Sequence, residues 1–104
     1  MTKQEAIQAQ MDEIMDTFDF EDVASWMGAS NWKWGGGDTG RVPDIYEIKQ
    51  AARERMKAAA REGYADTGGF AARLTEGEED GSPWVRMTLH FGYTSYNDGT
   101  NYTP

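Results

Sequence analysis

The stretch Trp32-Lys33-Trp34 sets an ammonium group between two indoles. Flat indole faces stack on nucleobases, and a lysine between them can pair with a phosphate. The competing role for either tryptophan is structural, as a large side chain filling the gap between a helix and a sheet. One indole is expected to be packed and the other available. A second stretch, Thr67-Gly68-Gly69-Phe70, offers a hydroxyl and two glycines. Successive N–H groups there can converge on an anion, or the stretch is an ordinary turn into a strand. Arg53 and Arg61 are the nearby cations that charge alone recommends as phosphate holders. The alternative for that region is a solvated helix face carrying pairs such as Glu54 and Lys57 at i, i+3.

Other chemistries lack their parts. The chain has no cysteine and one histidine, His90. Cysteine–histidine nucleophiles are excluded, and a serine triad would have to use His90, which falls on the polar phase of a strand. Zinc needs more thiolate or imidazole ligands than this. The carboxylates of "DEIMD", "DFED" and "EGEED" do not have the spacing of a calcium loop, and read as solvated helix and turn surface. "GGGDTG" is not followed by Gly-Lys-Ser/Thr and so is no Walker-type phosphate loop. The expectation is a protein that is not an enzyme and uses no metal or other cofactor.

The formal net charge is −8. That field repels duplex nucleic acid and anionic lipid, yet leaves room for a small anion in a locally basic pocket. No apolar run is long enough for a membrane span, and the start "MTKQEAIQAQ" lacks the apolar segment of a secretion signal. A cytoplasmic location is the simplest expectation.

The elements that position these residues follow from periodicity. Ile7, Met11, Ile14, Met15 and Phe18 form one helical stripe. Asp19 can cap a shorter helix with Phe20, Val23, Trp26 and Met27 on its apolar face, and Gly28 is its expected stop. A glycine-rich loop covers Ala29 to Val42. Pro43 is expected in the first turn of a long helix, with Asp44 and Glu47 near its positive end. Ile45, Ile48, Ala52, Met56 and Ala59 give that helix its stripe, and Gly63 ends it. The period then changes to two. Phe70, Ala72 and Leu74 alternate in one strand, and Val85, Met87, Leu89, Phe91 and Tyr93 in another, across the polar turn "TEGEEDGSP". The expected fold is α+β: two N-terminal helices, a glycine-rich loop, a long helix, then an antiparallel hairpin packed on the helices. Residues 1–93 form one domain, and 94–104 a polar tail that either extends the sheet edge or stands free of it. The unpaired hairpin edge suggests pairing with a second copy.

The order "FDFEDV…M", "WKW", "VP…E", "A…M…A" and "TGGFAA" resembles a widespread family of small bacteriophage proteins, over about Met11 to Phe91. It also resembles phage anti-CBASS nucleotide sponges. That resemblance implies a homo-oligomer, dimer or tetramer, that sequesters a small cyclic oligonucleotide immune signal without cleaving it. The matching positions are Trp32, Trp34 and Thr67 to Gly69, with Lys33 between the indoles. The "GGGDTG" insertion and the net acidity depart from the pattern. A different reading is a protein-directed inhibitor whose acids Asp12, Glu13, Asp16, Asp19, Glu21 and Asp22 imitate nucleic-acid phosphates or dock a basic protein.

Overall fold

The computed structural model describes residues 1–29, 43–67, 70–91, 94–96 and 98–104. It has the expected α+β class, with three helices on one side of an antiparallel sheet.

Helix α1 runs Lys3–Thr17 and begins at a reciprocal cap. The Thr2 hydroxyl accepts from the Glu5 N–H at 3.2 Å, and the Thr2 N–H donates to the Glu5 carboxylate at 2.9 Å. The Thr2 N–H first, and then the Thr2 hydroxyl, hold the Glu5 carboxyl below the usual carboxylate range. The capping contribution is therefore present above the ordinary carboxylate pKa and is lost as pH falls through the lowered value. Helix α2, Phe20–Ala29, is capped by Asp19, whose carboxylate accepts from the Asp22 N–H at 2.9 Å. Gly28 is not its stop but lies in its last turn. Helix α3, Ile45–Glu62, has a second reciprocal cap, from Asp44 and Glu47. Pro43 is buried and precedes that cap rather than opening the helix. Gly63 ends α3 at φ 88°, a conformation closed to most side chains, and its N–H returns to the Ala59 carbonyl.

The strands are β1 Tyr64–Thr67, β2 Phe70–Glu79, β3 Ser82–His90, β4 Thr94–Tyr96 and β5 Thr100–Asn101. They are ordered β1-β2-β3-β4, with β5 also on β3. The polar stretch "TEGEEDGSP" is mostly strand, not turn. Only Asp80 and Gly81 turn, with φ of 53° and 80°. Two positive φ values in a two-residue loop suit the right-handed twist of the flanking strands. The acids Glu76, Glu78 and Glu79 are exposed, so their charge does not oppose strand formation. Strand β1 was not foreseen. It pairs Tyr64 with Arg73 and Thr67 with Phe70.

The tail extends the sheet edge. Thr88 faces Tyr96, whereas Val85 faces Thr100. Three steps along β3 thus match four along the tail, the signature of one extra residue in a bulge. At that place α1 reaches into the sheet. The buried Gln10 amide donates to the Val85 carbonyl at 2.7 Å and accepts from the Met87 N–H at 2.6 Å. It also donates to the Thr100 hydroxyl at 2.6 Å.

The stripes foreseen on the helices form the core except at Trp26, which is 46 % exposed and packs edge-on against Phe91, and at Met15 and Ile45, which are partly buried. Ile7, Met11, Ile14, Phe18, Phe20, Val23, Met27, Ile48, Ala52, Met56 and Ala59 are buried against Phe70, Ala72, Val85, Met87, Leu89 and Phe91. Phe18, Phe20, Phe70 and Phe91 cluster with centroid separations of 5.0 to 6.3 Å. Helix α3 lies over β1, β2 and β3, and α1 over β3 and β5.

Replacing Gln10 by Leu keeps the volume but strips hydrogen bonds from two buried backbone groups of β3. The expected loss is about 2–6 kcal/mol, from about 1–3 for each unsatisfied group. Urea unfolding measures it, and amide exchange should accelerate first at Met87.

Candidate functional site

Strand alternation gives the sheet two unlike faces. Val85, Met87 and Leu89 point to the helices and are fully buried. Trp84, Arg86, Thr88 and His90 lie on the opposite phase. The register places Arg73, Thr75, Gly77 and Glu79 of β2 on that same face, with Tyr64 of β1. Among the described residues no helix covers it.

Four side chains form a diagonal band across β1, β2 and β3. Tyr64 sits directly opposite Arg73, whose guanidinium lies 5.2 Å from the Tyr64 ring centre. Arg73 faces Thr88, which makes Arg86 its diagonal neighbour, about 7–8 Å away at the chain level. The Arg86 guanidinium lies 5.8 Å from the Trp84 ring. The order is aromatic, cation, cation, aromatic. Arg73 and Arg86 are the only arginine or lysine residues among the described β-strand residues in an acidic chain, and both lie on the uncovered face. Tyr64 is 45 % exposed, and its hydroxyl donates to Asp66 at 3.2 Å.

Two glycines shape the Trp84 end. A Cβ added at Gly77 would lie 2.6 Å from Trp84 Cε2, and one at Gly99 3.1 Å from Cε3. The indole therefore lies down across the sheet where its neighbours have no side chains. Beside it is a concavity of about 210 Å³ lined by Glu79, Trp84, Arg86, Gly99 and Asn101. Arg86 Nε is buried and has no hydrogen-bond partner among the described residues.

The residues foreseen from sequence lie elsewhere. Trp32, Lys33, Trp34, Gly68 and Gly69 are outside the described residues. Thr67 ends β1, paired with Phe70. Arg53 is half-buried on α3 and donates to Gln50 at 2.9 Å. Arg61 is exposed in the last turn of α3, eight residues on, about 12 Å along the axis. Glu54 and Lys57 pair at 3.8 Å, as the solvated-face reading expects. The described members of the foreseen set are thus spread over a helix surface and a sheet edge. His90 is exposed, on the polar phase as expected. Tyr64, Glu79, Trp84 and Arg86 were not singled out. The available signal was a tryptophan and two arginines on the polar phase of strands whose other phase is wholly apolar.

Among the described residues no group of three side chains is arranged to hold a metal ion. Among them, too, no helix is long and apolar enough to cross a membrane. Comparison with known protein families, characterised proteins and solved structures finds no match.

Gly77→Ala tests the slot. The added methyl must lift the indole off the sheet, at a cost of about 1–3 kcal/mol. The Trp84 indole N–H resonance should move in a nitrogen–proton NMR spectrum, while the amides of α1 to α3 stay put.

Proposed function

We propose that this protein binds a small nucleotide on the uncovered sheet face and does not transform it. The carrying observation is the Tyr64–Arg73–Arg86–Trp84 band. Aromatic rings stack bases of any sequence, and guanidinium groups hold phosphates with directed donors. Two aromatic ends and two central cations match the two bases and two phosphates of a cyclic dinucleotide. That agrees in kind with the resemblance to phage nucleotide sponges, in which a cyclic oligonucleotide defence signal is sequestered intact. It moves the platform from the Trp32–Trp34 stretch to the sheet. A homo-oligomer would place such faces or edges together, and β1 is a short edge strand open to pairing. The net charge of −8 opposes duplex nucleic acid as the ligand, since duplex binding draws on many phosphate contacts at once.

A second reading keeps one observation of its own. Asp12, Glu13, Asp16, Asp19, Glu21 and Asp22 are all exposed on α1, α2 and the turn between them. Asp16, Asp19 and Glu21 line a depression of about 360 Å³ with Lys49. Such a ridge suits docking to a basic protein surface.

Thermal shift against a panel of cyclic di- and trinucleotides, followed by recovery of the ligand after denaturation, separates these. Stabilisation with intact ligand is the expected result. Trp84→Ala should weaken binding about tenfold or more, given about 1–3 kcal/mol for each stacked base. Absence of any shift sinks the nucleotide reading in favour of the acidic ridge. Recovery of an altered ligand shows an enzyme instead.

A further inference from the structure

The concavity at Trp84 is chemically more particular than a stacking platform. Resting on the nucleotide reading, we propose that it is a single-base subsite that selects guanine, with Glu79 reading the base edge.

The size argument comes first. A volume of about 210 Å³ is below the roughly 300–1,000 Å³ of pockets that enclose a whole drug-sized ligand. It suits one ring system, with the rest of the ligand running along the open face toward Arg73. The flat wall is the Trp84 indole, set down between Gly77 and Gly99.

The polar groups then choose the base. Glu79 shares a face with Gly77 and Trp84, two residues along β2 and beside the Asp80-Gly81 turn. It is exposed, and its ionised carboxylate has acceptors only. Guanine alone among the common bases presents two adjacent donors, N1–H and the 2-amino group, on its pairing edge. Adenine and cytosine present one donor beside a ring-nitrogen lone pair, which a carboxylate oxygen repels. Uracil flanks its single N–H with two carbonyls. Arg86 completes the site. Its guanidinium stands beside the indole and it lines the same concavity. Its terminal N–H groups can donate to a phosphate oxygen where the chain of the ligand leaves the subsite.

Glu79→Gln is the sharp variant. It removes the charge but keeps the shape, at an exposed position near a turn, where folding should be spared. A carboxamide pairs one acceptor and one donor, which fits the adenine edge and equally the O6 and N1–H of guanine, so it no longer tells the two bases apart. Calorimetric titration with cyclic di-GMP and cyclic di-AMP gives the readout. The native protein should prefer cyclic di-GMP by about ten- to a hundredfold, the range of one bidentate base contact. Glu79→Gln should lose that preference and bind the two ligands with similar affinity. Equal affinity for both ligands, unchanged by Glu79→Gln, overturns the guanine subsite while leaving nucleotide binding intact. Binding of neither overturns both. Loss of binding in Arg73→Ala, with the base preference of the residual binding retained, supports the division between phosphate and base groups.

Discussion

The Gln10 amide decides which side of the sheet is inside. It lies on α1 yet bonds the backbone of β3 at Val85 and Met87, 75 and 77 residues away. The two groups it joins point along the sheet toward the tail strands. Were β3 to slip by one residue, those groups would turn to the other neighbour, and every side chain would change face. Val85, Met87 and Leu89 would meet water, and Trp84 and Arg86 would meet the helices. The hydrophobic pattern alone opposes that slip. Gln10 adds a polar constraint that tolerates no other phase, because an unpaired buried amide is costly. It acts where β4 and β5 are out of step and the ladder needs a partner from outside the strands.

With the phase settled, the two faces take unlike work. One is closed by three helices and an aromatic cluster. The other keeps Tyr64, Arg73, Arg86 and Trp84 in a band, in a chain whose charge is otherwise strongly negative. Seven of the eighteen acids lie on α1, α2 and the turn between them, whereas Asp66 and Glu79 share the face of the band. The two guanidinium groups offer a small anion directed donors there, while the wider negative field turns larger polyanions away. The glycines at 77 and 99 belong to the same design, since a side chain at either would displace the indole.

The helices were legible in the sequence because their information is local. Asp19 as a cap, Asp44 and Glu47 near the start of α3 and Gly63 as its stop all appear in the structure, as do most of the stripes at helical spacing. So did the two apolar strands of the hairpin. Strand β1 and the length of β2 were not legible, because "YADT" and "TEGEE" have no apolar face of their own. Their pairing depends on partners and on a turn confined to Asp80-Gly81. The band on the open face was hidden for a related reason. Tyr64 and Trp84 are twenty residues apart, and only the register brings them to one surface. Attention to Trp32-Lys33-Trp34 followed sequence adjacency, whereas the aromatic and cationic neighbours that the structure displays are adjacent across strands.

The central claim is that a nucleotide lies on the uncovered sheet face. Titrating nitrogen-labelled protein with cyclic di-GMP and following backbone and side-chain NMR signals tests it most directly. The account predicts saturable shifts at Arg73, Arg86, the Trp84 indole and the Glu79 amide, with α1 and α2 unmoved. Saturable shifts confined to the helices, with the sheet face silent, would contradict it.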